Sequence, residues 1–171
     1  MERFSVDVNV GRTLRSFIIQ TNGSSVVDPD KGSILWCLVK QHLNLRPQQE
    51  NSLPEVDGVI KILLRSGDSI KTYSHTRSGL LNCNMLYRCY LDETGQASIR
   101  RHFEKNMKHL FHVFMAGYMA ANPEAGILYA ITDFCLEYNI EFDNTTLGAL
   151  RKDWYRYRQK STETKICPLV F

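Results

Sequence analysis

The residues best placed to do chemistry lie in one segment near the C-terminus, residues 146–160, where cationic and aromatic side chains recur at helical spacing. Apolar and aromatic side chains recur at intervals of three and four residues, at Leu147, Leu150, Trp154 and Tyr157. This spacing predicts a helix whose inward stripe, formed by these four residues, packs against the rest of the protein. The other faces carry one acid, Asp153, and five cations: Arg151, Lys152, Arg156, Arg158 and Lys160. Since the whole chain has a formal net charge of only +3, positive charge is concentrated in this helix. The helix could neutralise phosphates; the alternative is a terminal helix whose charges only keep it solvated.

The last two predicted helices, over 124–138 and 146–160, resemble a helix-turn-helix, in which the second helix enters the major groove of DNA. The connection over 139–144 departs from that motif, because it is longer than the usual turn of about three or four residues and contains no glycine. The resemblance implies that one set of side chains reaches the groove and another lines phosphates. The first set is Arg151, Tyr155 and Arg158, and the second is Lys152, Arg156 and Lys160.

A longer helix, predicted over 96–121, carries a second cationic stripe. Arg101, Lys105, Lys108 and His112 stand at i, i+4, i+7 and i+11, so they share one face and could extend a phosphate-binding track. The alternative is the solvent face that any amphipathic helix of this length needs.

Signatures of catalysis and of metal binding are absent from the sequence. Cys83 and Cys89, and likewise His109 and His112, are not spaced as zinc-binding pairs usually are. No nucleophile elbow, phosphate-binding glycine loop or zinc-protease motif occurs, and His75 is expected to be an exposed loop residue. We therefore expect a protein that is not an enzyme and that uses no cofactor and no metal.

The composition fits a folded domain, since 43% of the residues are hydrophobic and 23% are charged. An odd number of cysteines, five, indicates reduced thiols in a reducing compartment. The N-terminus has no apolar signal segment, and no apolar run approaches the ~18 residues of a membrane span. These features predict a cytoplasmic protein with no membrane partner.

Hydrophobic periodicity predicts strands in the first half of the chain and helices in the second. The strands are expected at 4–10, 14–20, 59–65, 70–74 and 85–91, with hairpins joining the first two and the third to the fourth. The helices are expected at 34–43, with Ser33 as N-cap, and at 96–121, 124–138 and 146–160. This order predicts an α+β fold: a mainly antiparallel sheet of about five strands with one helix, then a three-helix unit with a helix-turn-helix-like end. The predicted divisions are a sheet region over 1–95, a helical region over 96–160 and a tail over 161–171.

The function that these features favour is a small nucleic-acid-binding protein, regulatory or accessory, with double-stranded DNA as its preferred ligand. The alternative is a protein–protein interaction or assembly subunit that does not bind nucleic acid. In that case a homo-oligomer or a protein partner would use an exposed sheet edge or the apolar tail 166–171.

Overall fold

The computed structural model describes residues 4–45, 57–64, 69–70, 79–80, 89–141 and 143–165. Within these residues the chain forms five helices, which are α1 (Arg12–Asn22), α2 (Ile34–His42), α3 (Glu93–Ala121), α4 (Ile127–Glu137) and α5 (Asn144–Lys165). The strands of the same residues are β1 (Phe4–Asn9), β2 (Val26–Val27), β3 (Leu43–Leu45), β4 (Val59–Leu64), β5 (Ser69–Ile70), β6 (Gly79–Leu80) and β7 (Cys89–Leu91). The α+β class is therefore confirmed. The chain divides into two compact units, Met1–Lys105 and Asn106–Phe171.

The sheet of the first unit is smaller than predicted and mixed in direction. β4 lies in the middle, antiparallel to β1 and parallel to β2. Inward and outward positions alternate in β1, where Val6 and Val8 are buried, and in the first part of β4, where Ile60 and Ile62 are buried. At the end of β4 the next two residues, Leu63 and Leu64, are buried as well. This three-stranded sheet replaces the mainly antiparallel sheet of about five strands.

The predicted second strand, 14–20, is wrong, because this segment is helix α1. Leu14, Phe17 and Ile18 are buried at i, i+3 and i+4, the spacing of a helix packed on one side. Two glycines bound the helix, and both have positive φ: Gly11 at its N-cap and Gly23 at its C-cap. With α1 in place of a strand, the expected N-terminal hairpin does not form.

Among the described residues, the pairing predicted between 59–65 and 70–74 does not occur, because β4 pairs with β1 and β2, and β5 pairs with β6. Residues 65–68 and 71–74 of that prediction lie outside the described residues. β3 pairs antiparallel with β7, and neither β2, β3 nor β6 was predicted. These strands have two or three residues each, too few to show an alternating pattern. The predictions for residues 46–56, 65–68, 71–78, 81–88 and 166–171 lie outside the described residues.

The starts of α2 and α3 follow from side-chain caps. The Ser33 hydroxyl accepts the Trp36 N–H at 3.2 Å, which confirms the predicted cap of α2. α3 begins earlier than residue 96, because the Asp92 carboxylate accepts the Gly95 N–H at 2.7 Å. The predicted end of α3 at Asn122 is confirmed, since the helix stops at Ala121.

The second unit contains the C-terminal part of α3 together with α4 and α5. Its buried side chains come from all three helices and from the connection that contains Ile140. In the described residues they are Phe111, Met115, Ala130, Ile131, Phe134, Cys135, Ile140, Leu150 and Trp154. None of the helices in the described part of the chain has the length and the apolar run needed to cross a bilayer.

Candidate nucleic-acid interface

The turn before the basic helix is formed without glycine. Asn139 takes the left-handed conformation, φ 49°, just beyond the end of α4. The Asn139 N–H donates to Leu136 O at 3.2 Å, and the Ile140 N–H donates to Cys135 O at 2.8 Å. This pair of bonds is a Schellman motif, in which asparagine can take the position usually held by glycine. The buried Ile140 then fixes where the chain leaves α4.

The start of α5 is set by Asp143. The Asp143 carboxylate accepts the Thr146 N–H at 2.7 Å, and its backbone carbonyl accepts the Leu147 N–H at 3.0 Å. The hydrogen bond from the Thr146 backbone lowers the pKa of Asp143. The residue therefore caps the helix as a carboxylate, and its negative charge lies at the positive end of the helix dipole.

The inner stripe of α5 agrees with the sequence at Leu150 and Trp154 and differs at Tyr157. Leu150 and Trp154 are buried, at 8% and 5% exposure, and α5 packs against α4. Tyr157 is 40% exposed, because it lies at the edge of the stripe. Its ring stacks on two neighbours: the Trp154 ring at a centroid distance of 5.7 Å and the His112 ring at 4.1 Å.

His112 on α3 contacts the only acid in the 146–160 segment. Its Nε2 lies 2.7 Å from Oδ2 of Asp153, and both side chains are largely buried, at 17% and 25% exposure. His112 therefore does not belong to the solvent-facing cationic stripe predicted for α3. The interaction joins α3 to α5 and fixes the rotation of α5 about its own axis.

As a result, the outward surface of α5 between Arg151 and Lys160 is entirely cationic or neutral. All five basic residues are exposed, whereas Asp153 faces α3. The rest of the helix circumference carries Leu150, Trp154 and Asp153. Asp153 stands three residues before Arg156, at the border of the outward surface, but its carboxylate is directed at His112 and is only 25% exposed.

The cations form two rows on opposite flanks of the exposed arc. Arg151, Tyr155 and Arg158 follow one flank, and Lys152, Arg156 and Lys160 follow the other. The guanidinium of Arg151 lies over the Tyr155 ring, with its central carbon 5.7 Å from the ring centroid. The structure thus brings the six α5 residues predicted for the site together on one helix surface, and Gly148 lies between the flanks.

The three candidate cations on α3 are also exposed. Arg101 and Lys105 belong to the first unit, and Lys108 belongs to the second, together with α5. The neighbouring Arg100 has a structural role instead, since its guanidinium donates twice to the Asn9 carbonyl, at 2.9 and 3.2 Å.

Within the described ranges, no three His, Cys, Asp or Glu side chains lie close enough to hold a metal ion. Burial raises the pKa of the Cys89 and Cys135 thiols to about 11, so both remain protonated at neutral pH. Cys83 and Cys167 lie outside the described residues. The described thiols with raised pKa are therefore poor nucleophiles and poor metal ligands.

No protein-family model matches the chain, and no match was found among curated proteins or among solved structures.

Proposed function

We propose that the protein binds nucleic acid through the exposed face of α5, with double-stranded DNA as the preferred ligand. The observation that supports this most is the sorting of charge on the helix. Five exposed cations share the outward arc, while Asp153 is turned inward and held by His112. Association would come mainly from phosphate neutralisation, which is independent of sequence.

The two flanks of α5 suit a helix lying in a groove. A major groove is about 12 Å wide and has a phosphate backbone on each side, so an inserted helix meets phosphates on both flanks. The row from Arg151 to Arg158 would meet one backbone, and the row from Lys152 to Lys160 the other. This differs from the expectation from the sequence, in which Arg151, Tyr155 and Arg158 reach into the groove and only the second row lines phosphates. Base edges would then be read from the middle of the arc.

Gly148 lies in the middle of that arc and has no packing role in the described structure. A methyl group built on its Cα meets no atom within 4 Å. Glycine inside a helix costs about 1 kcal/mol relative to alanine. At Gly148 the missing side chain leaves the helix backbone open to close approach of a ligand.

The exposed aromatic rings favour a duplex over single strands. Proteins that hold single strands stack bases on open aromatic faces. Here one face of Tyr155 is covered by Arg151, and Tyr157 stacks on His112 and Trp154. A helix with cationic flanks and engaged aromatic rings therefore fits phosphate contacts on a duplex better than base stacking.

The experiment is fluorescence anisotropy of a random-sequence duplex titrated with the full chain over a series of salt concentrations. Micromolar binding at low salt that weakens steeply as salt rises supports the proposal, because counterions are released for each phosphate contact. Polyglutamate serves as a control for attraction to any polyanion. Failure to bind the duplex at protein concentrations of tens of micromolar, or equal binding of polyglutamate, would remove nucleic acid as the ligand.

A further inference from the structure

α4 has too few polar residues for a helix that faces solvent. Its clearly polar residues are Thr132, Asp133 and Glu137, with the hydroxyl of Tyr129, yet about half of its circumference is left uncovered by the part of the chain that the structure describes. Leu128, Tyr129 and Leu136 are 51%, 74% and 63% exposed. A helix that is apolar nearly all round is normally covered on every side.

The exposed side chains of α4 form two adjacent ridges. The first ridge is Leu128, Thr132 and Leu136, at i, i+4 and i+8. The Thr132 hydroxyl donates to Leu128 O at 2.9 Å, which satisfies it within the helix and leaves its methyl group for contact. The second ridge is Tyr129, Asp133 and Glu137, so an acidic row runs beside the apolar one. Neighbouring ridges of this kind form the groove into which a side-chain ridge of another helix packs.

The size of this α4 face, Leu128 to Glu137, fits a contact with another protein. Its three large apolar side chains expose on the order of 350 Å², comparable with the largest apolar patch on a typical monomer, which is often functional. That is roughly half of what one partner buries in a standard protein–protein interface, about 800 Å². The area is enough for a helix-sized partner and too small on its own for a stable obligate dimer.

The charge around the α4 face indicates what such a partner carries. Residues 109–150 contain five acids and neither lysine nor arginine. Asp133 and Glu137 lie on the face itself, and Asp133 accepts a hydrogen bond from the Tyr118 hydroxyl. Nucleic acid would be repelled here. Two copies of the face packed on each other would bring like charges together, which disfavours a symmetric pairing of α4 with α4.

We propose that the α4 face is a docking site for a basic amphipathic helix of a partner protein. Apolar side chains of that helix would pack on Leu128, Thr132 and Leu136, and its lysines or arginines would meet Asp133 and Glu137. This site is separate from the basic surface of α5 and carries the opposite charge. The protein would then hold an anionic ligand on one helix and a cationic partner helix on the next.

The test uses the full chain without nucleic acid and two synthetic peptides of roughly 18 residues, long enough for a helix of several turns. Both peptides carry leucines at helical spacing; one has lysine and the other glutamate at the remaining positions. Binding is measured by calorimetry for the wild type, for the double variant Leu128→Gln/Leu136→Gln, and for Val113→Gln. Val113 is a matched control, since it is 55% exposed and lies on α3.

The lysine peptide is expected to bind the wild type and Val113→Gln alike, and to bind the double variant about tenfold more weakly or worse. The glutamate peptide is expected not to bind. Because both leucines are exposed, thermal unfolding of the double variant should match that of the wild type, which shows that the variant is folded. Equal binding of both peptides, or unchanged binding by the double variant, would overturn the proposal. A concentration-dependent dimer in sedimentation that the double variant loses would overturn the choice of partner, because the occupant would then be a second copy.

Discussion

The interaction between His112 and Asp153 should contribute measurably to stability, because it orients α5 and lies largely out of solvent. The two side chains are 2.7 Å apart and only 17% and 25% exposed. A hydrogen bond that involves a charged group contributes about 1.5–3 kcal/mol when its partner would otherwise be left desolvated. We therefore expect Asp153→Ala and His112→Ala each to lower the free energy of unfolding by about 2 kcal/mol, or roughly 4–8 °C in Tm for a chain of this length.

The assay is a double-mutant cycle by urea unfolding at pH 7, with His109→Ala as the control. His109 is exposed and lies one turn before His112 on the same helix, so its loss should change stability by less than about 0.5 kcal/mol. If the two side chains act as a pair, the double variant should be about 1–2 kcal/mol more stable than the sum of the single effects predicts. Additive effects, with a coupling energy below about 0.5 kcal/mol, would refute the idea that this contact holds α5 in place.

Three further predictions test other parts of the structure. Cys37 is exposed, whereas burial raises the pKa of Cys135 to about 11. Cys37→Ser should therefore remove a fast phase of reaction with Ellman's reagent, and Cys135→Ser should not. The reverse result would contradict the assignment of burial. Gly117→Ala should stabilise the chain by about 0.5–1 kcal/mol, because an added Cβ has no neighbouring atom to clash with. Gly95→Ala should destabilise the chain, because its Cβ would lie 2.6 Å from a side-chain carbon of α2. Equal effects of the two substitutions on thermal unfolding would be inconsistent with the packing described. The folded-state pKa of Asp143 is lowered, so its carboxylate contributes stability above the unfolded-state pKa of about 3.9 and loses that contribution as pH falls through the folded-state value. The Tm of Asp143→Ala should therefore lie below that of the wild type at pH 7, with the gap narrowing below pH ~4; a gap that is independent of pH would exclude the carboxylate as the cap.

The sequence predicted the long elements well and the short ones poorly, for a physical reason. β1, β4 and the three C-terminal helices have enough residues for hydrophobic periodicity to be read directly. α1 was missed because Phe17 and Ile18 are adjacent apolar residues, which fit a buried strand as well as a helix. Only the flanking glycines, Gly11 and Gly23, marked the helix ends. The parallel pairing of β2 with β4 depends on contacts between distant parts of the chain, which no local pattern reveals.

The candidate site was predicted in its residues but not in its geometry. The cations on α5 follow directly from composition and spacing, because a helix with a buried stripe must place its charges outward. The inward position of Asp153 could not be predicted, since it depends on His112, a residue of α3 forty-one positions earlier. The left-handed Asn139 was also missed. Asparagine tolerates this conformation, and its place just after the apolar stripe of α4 was the available signal.

The central claim, that the outward face of α5 is the nucleic-acid interface, is tested most directly by comparing salt dependence between two charge-matched variants. Arg151→Gln/Arg158→Gln removes two cations from α5, and Arg12→Gln/Lys61→Gln removes two exposed cations from the first unit. Each phosphate contact contributes about 0.9 to the slope of log K against log salt concentration. We predict that the α5 variant loses about 2 in the magnitude of that slope, together with most of its affinity for a random-sequence duplex, while the control keeps the wild-type slope. Equal slopes for the two variants would contradict the assignment of the interface to α5.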